Sequence, residues 1–203
     1  MQGNGTAVKG DSRKLKRLGR YLVDRKRVVV KYGYQGVCGE LKGFSDSDWA
    51  GCRRTAKSTS GGTIMKRSHW IKSWSSTQKS VTLSLGKAES VVAVKMATEL
   101  MGVCQLALDW GGAYQGQVYV DSSAALDMVG RRGCGKMRHV KVGMVRIQEK
   151  QEEGELDFRK VGGLENPADL MTKHVGAKII DKMMSAMAQV FENGRAETGL
   201  TVT

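Results

Sequence analysis

The sequence predicts an α/β fold in which helices cover the faces of one mixed sheet. Two observations predict this fold. Three short extended segments follow one another between residues 43 and 76, which favours an antiparallel meander. Further extended segments are then separated by helical ones, which favours parallel pairing through crossover helices. The predicted order of elements is therefore β-β-β-α-β-α-α-β-α.

The composition fits a globular domain with an appendage. The chain has 203 residues, of which 40% are hydrophobic and 26% are charged. No apolar run reaches the roughly 18 residues of a membrane helix, and the N-terminal residues lack the apolar core of a secretory signal. The four cysteines form no CxxC pair and there are three histidines, so a zinc finger or disulfide scaffold is not supported. We expect an intracellular protein without a membrane partner.

Positive charge is concentrated near the N-terminus. Of the formal net charge of +13, a surplus of eight lies between Lys9 and Lys31, where there are ten basic residues and two acidic ones. Leu15, Leu18 and Leu22 recur at helical spacing, which predicts a short basic helix over residues 12–24. Such a helix could be a solvated face or could contact phosphates. The residues expected to contact nucleic acid are Lys14, Lys16, Arg17 and Arg20.

The first predicted strands span residues 43–51, 60–68 and 69–76. Each carries aromatic or β-branched residues between Gly, Ser and Thr turns. A long helix is predicted from Lys87 to Trp110, because apolar residues recur at helical spacing and Gly111 with Gly112 follows.

The remaining elements alternate between strands and helices. Asn166 and Pro167 have the residue types of a helix cap and first turn, and they predict one final helix that runs to about Met187. The elements predicted before that helix are a strand at 117–121, helices at 122–130 and 138–153, and a strand at 155–161.

Acidic residues lie at the ends of several predicted elements. Period-two alternation puts Asp46 and Asp48 on the same face of the first strand, which is an unusual place for carboxylates. Glu89 belongs to the apolar stripe of the long helix, Asp121 ends a strand, and Asp169 lies in the first turn of the final helix. Each has an ordinary explanation alone, as a polar strand end, a helix-dipole partner or an N-cap.

Taken together, these acids suggest a metal site. Converging carboxylates repel one another unless cations neutralise them, and Mg²⁺ prefers carboxylate oxygens, water and phosphate as ligands. Two such ions about 4 Å apart can activate water and stabilise the leaving oxygen of a phosphodiester. The basic surplus would attract a polyanionic substrate to such a site.

Seven motifs occur in a fixed order between about residues 13 and 175. They are GFSDSDWAG (43–51), RRTAKSTSGG (53–62), IKSWSSTQKSVTLS (71–84), AES (88–90), VYVDSSAAL (118–126), RHVKV to GELDF (138–158) and ENPADLMTK (165–173). This series resembles the ribonuclease H domain of copia-type long-terminal-repeat retrotransposon Pol polyproteins. The resemblance implies a ribonuclease H-like mixed five-stranded sheet, whose first three strands are antiparallel, with helices on both faces.

The resemblance also implies a function and its residues. It implies hydrolysis of the RNA strand of RNA–DNA hybrids with two Mg²⁺ ions, which Mn²⁺ could replace. The catalytic and metal-binding residues that it implies are Asp46, Glu89, Asp121 and Asp169. Asp48 and Ser122 would lie beside these ligands and orient them. Contacts to the nucleic-acid backbone near the first hairpin would come from Lys57, Ser58, Thr59 and Ser60.

Domain boundaries and context follow from the same resemblance. We expect a disordered N-terminus (1–12), a basic helical connection from a polymerase (13–34), a ribonuclease H-like domain (35–188) and a disordered tail (189–203). The domain would be fused to, or excised from, a reverse transcriptase, in a cytoplasmic particle or the nucleus. A catalytically inactive remnant that binds nucleic acid is the alternative, because Lys87 and Ser90 replace residues common in the family. A transposase or exonuclease with the same sheet lacks support from the motif order.

Overall fold

The computed structural model describes residues 9–23, 25, 27–52, 54–131 and 141–194. The chain divides into two compact units. The terminal unit comprises Met1–Lys31 and Gln189–Thr203, and the sheet unit comprises Tyr32–Ala188.

In the terminal unit, helix α1 spans Lys9–Leu22 and strand β1 spans Arg27–Val30. β1 pairs antiparallel with a strand near the other end of the sequence, Gln189–Glu192, which is β7 in chain order. The Arg27 guanidinium lies 2.7 Å from a Glu192 carboxylate oxygen, and the two residues are register partners. This ion pair closes one end of the two-stranded sheet.

Three predicted boundaries in this unit differ from the structure. α1 begins at Lys9, inside the segment expected to be disordered, and β1 lies inside the expected helical connection. β7 lies inside the expected disordered tail. The two strands have four residues each, which is too short for a hydrophobic period to show, and they are stabilised by each other. Residues 1–8 and 195–203, also expected to be disordered, lie outside the described residues.

The sheet unit is built on five strands in the order β4-β3-β2-β5-β6. β3 pairs antiparallel with both β2 and β4, whereas β5 pairs parallel with both β2 and β6. This confirms the predicted mixed sheet with its first three strands antiparallel. The strands are β2 (Glu40–Cys52), β3 (Lys57–Lys66), β4 (His69–Thr77), β5 (Gln115–Val120) and β6 (Leu156–Lys160).

Five helices of the sheet unit are described. They are α2 (Leu85–Asp109), α3 (Ser123–Gly130), α4 (Lys141–Glu152), α5 (Asp169–Thr172) and α6 (Ala177–Ala186), with a short 3-10 helix at Gly163–Glu165. The start predicted for α4, at residue 138, lies outside the described residues, as do 132–137.

The prediction of one final helix after Asn166 and Pro167 is wrong. The segment forms two helices, α5 and α6, because Lys173 adopts an extended conformation with φ −114° and ψ 152° that ends α5 after one turn. Gly176, also extended, precedes α6. The break matters because it places the residues after Asp169 beside the sheet.

Helices pack on both faces of the sheet, as neighbouring glycines of β3 show. A Cβ atom on Gly62 would clash with the Met96 side chain of α2, whereas one on Gly61 would lie 2.6 Å from the Met171 side chain of α5. Adjacent residues of a strand point to opposite faces, so α2 and α5 cover different faces. Both helices approach the strand closely because these positions carry no side chain.

α2 forms the centre of the main core. By length and composition it could cross a membrane, but its apolar face, which includes Val92, Met96 and Leu100, is fully buried within the fold. Leu41, Ile64 and Val118 of the sheet form one cluster with Met96 and Leu100. The helix is therefore accounted for as the core helix of a globular domain.

Candidate metal centre

Three of the predicted acids meet at one edge of the sheet. Asp46 lies on β2, Asp121 follows β5, and Asp169 begins α5. One carboxylate oxygen of each lies within 4.8 Å of the others. Their convergence has a separate cause for each residue.

Asp46 and Asp121 come together because β2 and β5 are parallel neighbours. Phe44 and Tyr119 are register partners, and their rings stack with centroids 4.9 Å apart. Each aspartate follows its aromatic residue by two positions, so both carboxylates reach the same edge of the sheet. The carboxyl ends of parallel strands are where ligand-binding groups collect in α/β sheets.

Asp169 is brought to β2 by Asn166, which is fully buried. The Asn166 amide nitrogen donates to the Ser45 carbonyl oxygen at 2.9 Å, and its side-chain oxygen accepts from the Ala168 N–H at 3.1 Å. Asn166 thus holds the turn before α5 against Ser45, the residue that precedes Asp46. The prediction that Asn166 caps the helix is wrong, because Ala168 is the N-cap residue of α5 and no side chain caps that helix.

Glu89 is the fourth predicted acid and is only 4% exposed. Burial, together with the charges of Asp121 and Asp46, raises the pKa of Glu89 to about 8. The backbone N–H of Ser47 opposes this shift, but Oε2 of Glu89 has no hydrogen-bond partner among the described residues. A buried carboxylate oxygen without a partner is costly and suits a site that receives a cation.

Gln78 connects the elements that carry Asp46 and Glu89. Its side-chain nitrogen lies 2.9 Å from the Ser60 hydroxyl, 3.1 Å from the Ala88 carbonyl oxygen and 3.4 Å from the Ser47 hydroxyl. Ser47 follows Asp46 and Ala88 precedes Glu89, so one buried amide ties β2, β3 and α2 together. Sequence reasoning missed Gln78, since a lone glutamine in a loop gives no periodic signal.

Two residues of the last predicted motif also contact the acids. Lys173 places its Nζ 2.9 Å from Asp46 Oδ1 and 2.9 Å from Asp169 Oδ1. The Thr172 hydroxyl donates to the other Asp46 oxygen, Oδ2. Both residues belong to the motif at 165–173, which assigned neither of them a role. The helical break after Thr172 is what turns Lys173 toward the acids.

The environment shifts the pKa of most groups at the site. Burial, with the charge of Asp46, raises the pKa of Asp121 above its ordinary value, and Lys173 and Lys160 oppose the shift. Burial raises the pKa of Asp169 as well, against the hydrogen bond from Lys173. Partial burial opposes the charged form of Lys173, but its hydrogen bonds to Asp46 and Asp169 outweigh this and raise its pKa. The positive charge of the nearby lysines therefore does not fully compensate the negative charge of the carboxylates.

For the metal-free protein, we expect the free energy of unfolding to fall as pH rises from about 5 to 8. The pKa of Glu89 is about 8 when folded, against an ordinary 4.5. Between these values the folded state holds a proton that the unfolded chain has released, so stability is lost as pH rises. Glu89 contributes a slope of at most about 1.4 kcal/mol per pH unit.

Urea unfolding in EDTA at several pH values, for the unmodified chain and for Glu89→Gln, measures this slope. The variant should show the smaller decline, because glutamine cannot titrate. Equal slopes for the two proteins would show that Glu89 titrates normally.

The other residues predicted to contact nucleic acid differ in exposure. The hydroxyls of Ser58 and Ser60 are buried, with 0% and 2% exposure, and bond to Thr82 and Gln78. The contact of these two residues with nucleic acid stays a prediction. Lys57 and Thr59 are half-buried, and their contacts stay a prediction. The basic residues predicted to contact nucleic acid from α1 are exposed on that helix: Lys14, Lys16, Arg17 and Arg20.

The two residues expected beside the ligands take other positions. Ser122 caps α3, and its hydroxyl accepts from the Ala125 N–H at 3.2 Å. Asp48 is half-buried on β2 and is not part of the group formed by Asp46, Asp121 and Asp169. Whether either residue orients a ligand stays a prediction.

The donor set fits a divalent cation. Three converging carboxylates and an unpartnered buried oxygen of Glu89 supply hard oxygen ligands. Lys173 already places a positive charge among them. The site thus attracts cations.

Comparison with known proteins places the chain in context. No protein-family model matches it. It is 32% identical over 138 residues to the retrovirus-related Pol polyprotein from transposon TNT 1-94 of Nicotiana tabacum. The match covers 66% of this chain and 10% of the polyprotein, so the chain spans about a tenth of its curated relative.

Solved structures share the fold. LC11-RNase H1, isolated from compost by a metagenomic approach, superposes with a TM-score of 0.52 at 17% identity, over 72% of this chain and 99% of that one. Its complex with an RNA/DNA hybrid gives a TM-score of 0.50 at 15% identity, over 66% and 94% of the two chains. The sequence relationship and the shared fold together identify the chain as a ribonuclease H-fold domain homologous to part of a retrotransposon Pol polyprotein.

Proposed function

We propose that this domain is a metal-dependent endoribonuclease that hydrolyses the RNA strand of RNA–DNA hybrids. It would act as the ribonuclease H part of a retrotransposon polyprotein, fused to or excised from a reverse transcriptase. The observation that carries the proposal is the convergence of Asp46, Asp121 and Asp169 beside Glu89, whose buried oxygen lacks a partner among the described residues.

Asp46, Glu89, Asp121 and Asp169 would hold two Mg²⁺ ions, or Mn²⁺ in their place. When bound, the ions activate a water and stabilise the leaving oxygen of the phosphodiester, which leaves a 3′-hydroxyl and a 5′-phosphate. The chain supplies the rigid frame, since Asn166 fixes the turn before Asp169 and Gln78 links the residues next to Asp46 and Glu89. Such positioning keeps the carboxylates converged without substrate.

The hybrid is the proposed substrate because of the family and the charge. The related LC11-RNase H1 was solved with an RNA/DNA hybrid, and a net charge of +13 favours a polyanion. Glu89 would face the 2′-hydroxyl side of the RNA strand, and only RNA presents that group. Minor-groove shape would supply the remaining discrimination.

Cleavage of labelled duplexes tests the proposal. Hybrids labelled on either strand, with double-stranded RNA and DNA as controls, are incubated with the purified chain in Mg²⁺ or EDTA. We expect cleavage of the hybrid's RNA strand alone, and only with the metal. Intact RNA in Mg²⁺, from a chain shown to be folded, would refute the enzyme and favour a remnant that only binds.

The basic surface of α1 is expected to strengthen hybrid binding. Replacing Lys16, Arg17 and Arg20 by glutamine removes three exposed charges and should lower the slope of log affinity against log salt by up to about 2 to 3. Filter binding in EDTA at several salt concentrations measures the slope, and thermal melting checks the fold. A slope equal to that of the unmodified chain would show that α1 does not contact phosphates.

A further inference from the structure

We propose that Lys173 is a positioning residue that occupies the acidic site as a built-in cation and must leave Asp46 when a metal ion binds. It would thereby hold the carboxylates together in the metal-free protein and set the metal affinity of the site. This inference rests on the proposed function, because it concerns the same carboxylates, and it assigns a role to a residue that motif comparison leaves without one.

The first step is the geometry around Asp46. This carboxylate is 1% exposed, and both of its oxygens are engaged by residues that end α5. Lys173 Nζ donates to Oδ1 at 2.9 Å, and the Thr172 hydroxyl donates to Oδ2. A metal ion therefore cannot bind an Asp46 oxygen without displacing or sharing one of these donors.

The same ammonium group contacts two of the proposed metal-binding carboxylates. Lys173 Nζ also lies 2.9 Å from Asp169 Oδ1, so one charge bridges acids from β2 and α5. The contact between Lys173 and Asp46 joins residues that are 127 positions apart in the sequence. The bridge replaces the attraction that a cation would otherwise provide between two carboxylates.

The third step is that Lys173 can leave. Its side chain is 40% exposed, unlike that of Asp46, and it projects from an extended residue after the last turn of α5. A flexible four-carbon stem lets an ammonium move from a buried contact into solvent without backbone rearrangement. The displaced charge would then be available to a phosphate of the substrate.

A matched control exists in Lys160. Its charge acts on Asp121, but its Nζ donates to the Ser123 hydroxyl at 2.7 Å and not to an acid of the site. Removing Lys160 changes the local charge by the same amount as removing Lys173 and leaves the bridge in place. A comparison of the two separates bridging from general electrostatic repulsion.

The experiment uses the full chain and Mn²⁺ alone, without substrate. Calorimetric titration of the unmodified chain, Lys173→Met and Lys160→Met gives metal affinities, and thermal melting in EDTA and in saturating Mn²⁺ gives stabilities. We expect Lys173→Met to bind Mn²⁺ roughly tenfold more tightly, since a bound competitor and a repelling charge are both removed. Its melting temperature should fall in EDTA and recover in Mn²⁺.

Lys160→Met should change the Mn²⁺ affinity much less than Lys173→Met and should melt like the unmodified chain. If Lys173→Met does not fold, Lys173→Gln removes the charge and keeps a donor, and a smaller gain in Mn²⁺ affinity is expected. Unchanged or weaker Mn²⁺ binding by the Lys173 variant overturns this inference while the metal site stands. Equal gains in Mn²⁺ affinity for the Lys173 and Lys160 variants would show that Lys173 acts only through its charge and not by bridging the two carboxylates. No Mn²⁺ binding by any protein overturns the proposed metal site itself.

Discussion

Replacing Asp46 by asparagine is expected to reduce cleavage of the hybrid's RNA strand on the order of 10³-fold or more, with little change in hybrid affinity. Asp46 is the buried centre of the acidic group and contacts the residues that end α5. Asparagine has the same shape, so the change removes charge and metal-ligand capacity more than volume. Single-turnover cleavage in Mg²⁺ and binding in EDTA measure the two effects separately.

Asp48→Asn is the matched control, because the residue lies on the same strand, is half-buried and is outside the acidic group. We expect this change to reduce cleavage less than about tenfold, within the range of a group that acts only through its neighbours. Thermal melting in EDTA checks that both variants fold. Similar losses of activity for the two variants would contradict the assignment of Asp46 as the ligand.

Gly61→Ala is expected to lower the free energy of unfolding by about 2 to 3 kcal/mol and to reduce cleavage at the same time. Gly61 is the register partner of Asp46, and a Cβ there would lie 2.6 Å from the Met171 Cβ and 2.7 Å from the Thr172 methyl carbon. Real Cβ contacts are not that short, so α5 must shift away from the strand. The shift separates Asp169 from Asp46.

Gly102→Ala provides the control for this change. Gly102 lies in α2 with nothing within 4 Å of an added Cβ, so alanine should stabilise the helix by about 0.5 to 1 kcal/mol. Urea unfolding compares the two variants, and Mn²⁺ titration tests whether Gly61→Ala weakens metal binding. A Gly61→Ala protein as stable as the unmodified chain would show that α5 tolerates displacement.

The sheet and its acids could be predicted because their signals are local or ordered along the chain. Strands β2 to β6 and helix α2 carry clear periodic patterns, and the fixed order of the motifs indicated how the strands are arranged. The same order indicated Asp46, Asp121 and Asp169, which the structure brings together. The fold that results is the one that the resemblance implied.

What could not be predicted depends on contacts between distant residues. β1 and β7 are four residues each and pair across almost the whole sequence, so neither shows a pattern alone. The extended conformation of Lys173 divides the last helix, yet lysine is an ordinary helix former. The burial of Ser58 and Ser60 was not predicted either, because it depends on hydrogen bonds to Thr82 and Gln78, which are distant in the sequence.

The pairing of β1 with β7 has a consequence for the chain under tension. Arg27 is opposite Glu192 at one end of this ladder, and Val30 is opposite Gln189 at the other. Pulling on the segments that precede Arg27 and follow Glu192 therefore loads the Arg27–Glu192 pair first and unzips the ladder one pair at a time. The four residue pairs therefore separate before the force reaches Tyr32 and Ala188, where the sheet unit begins and ends.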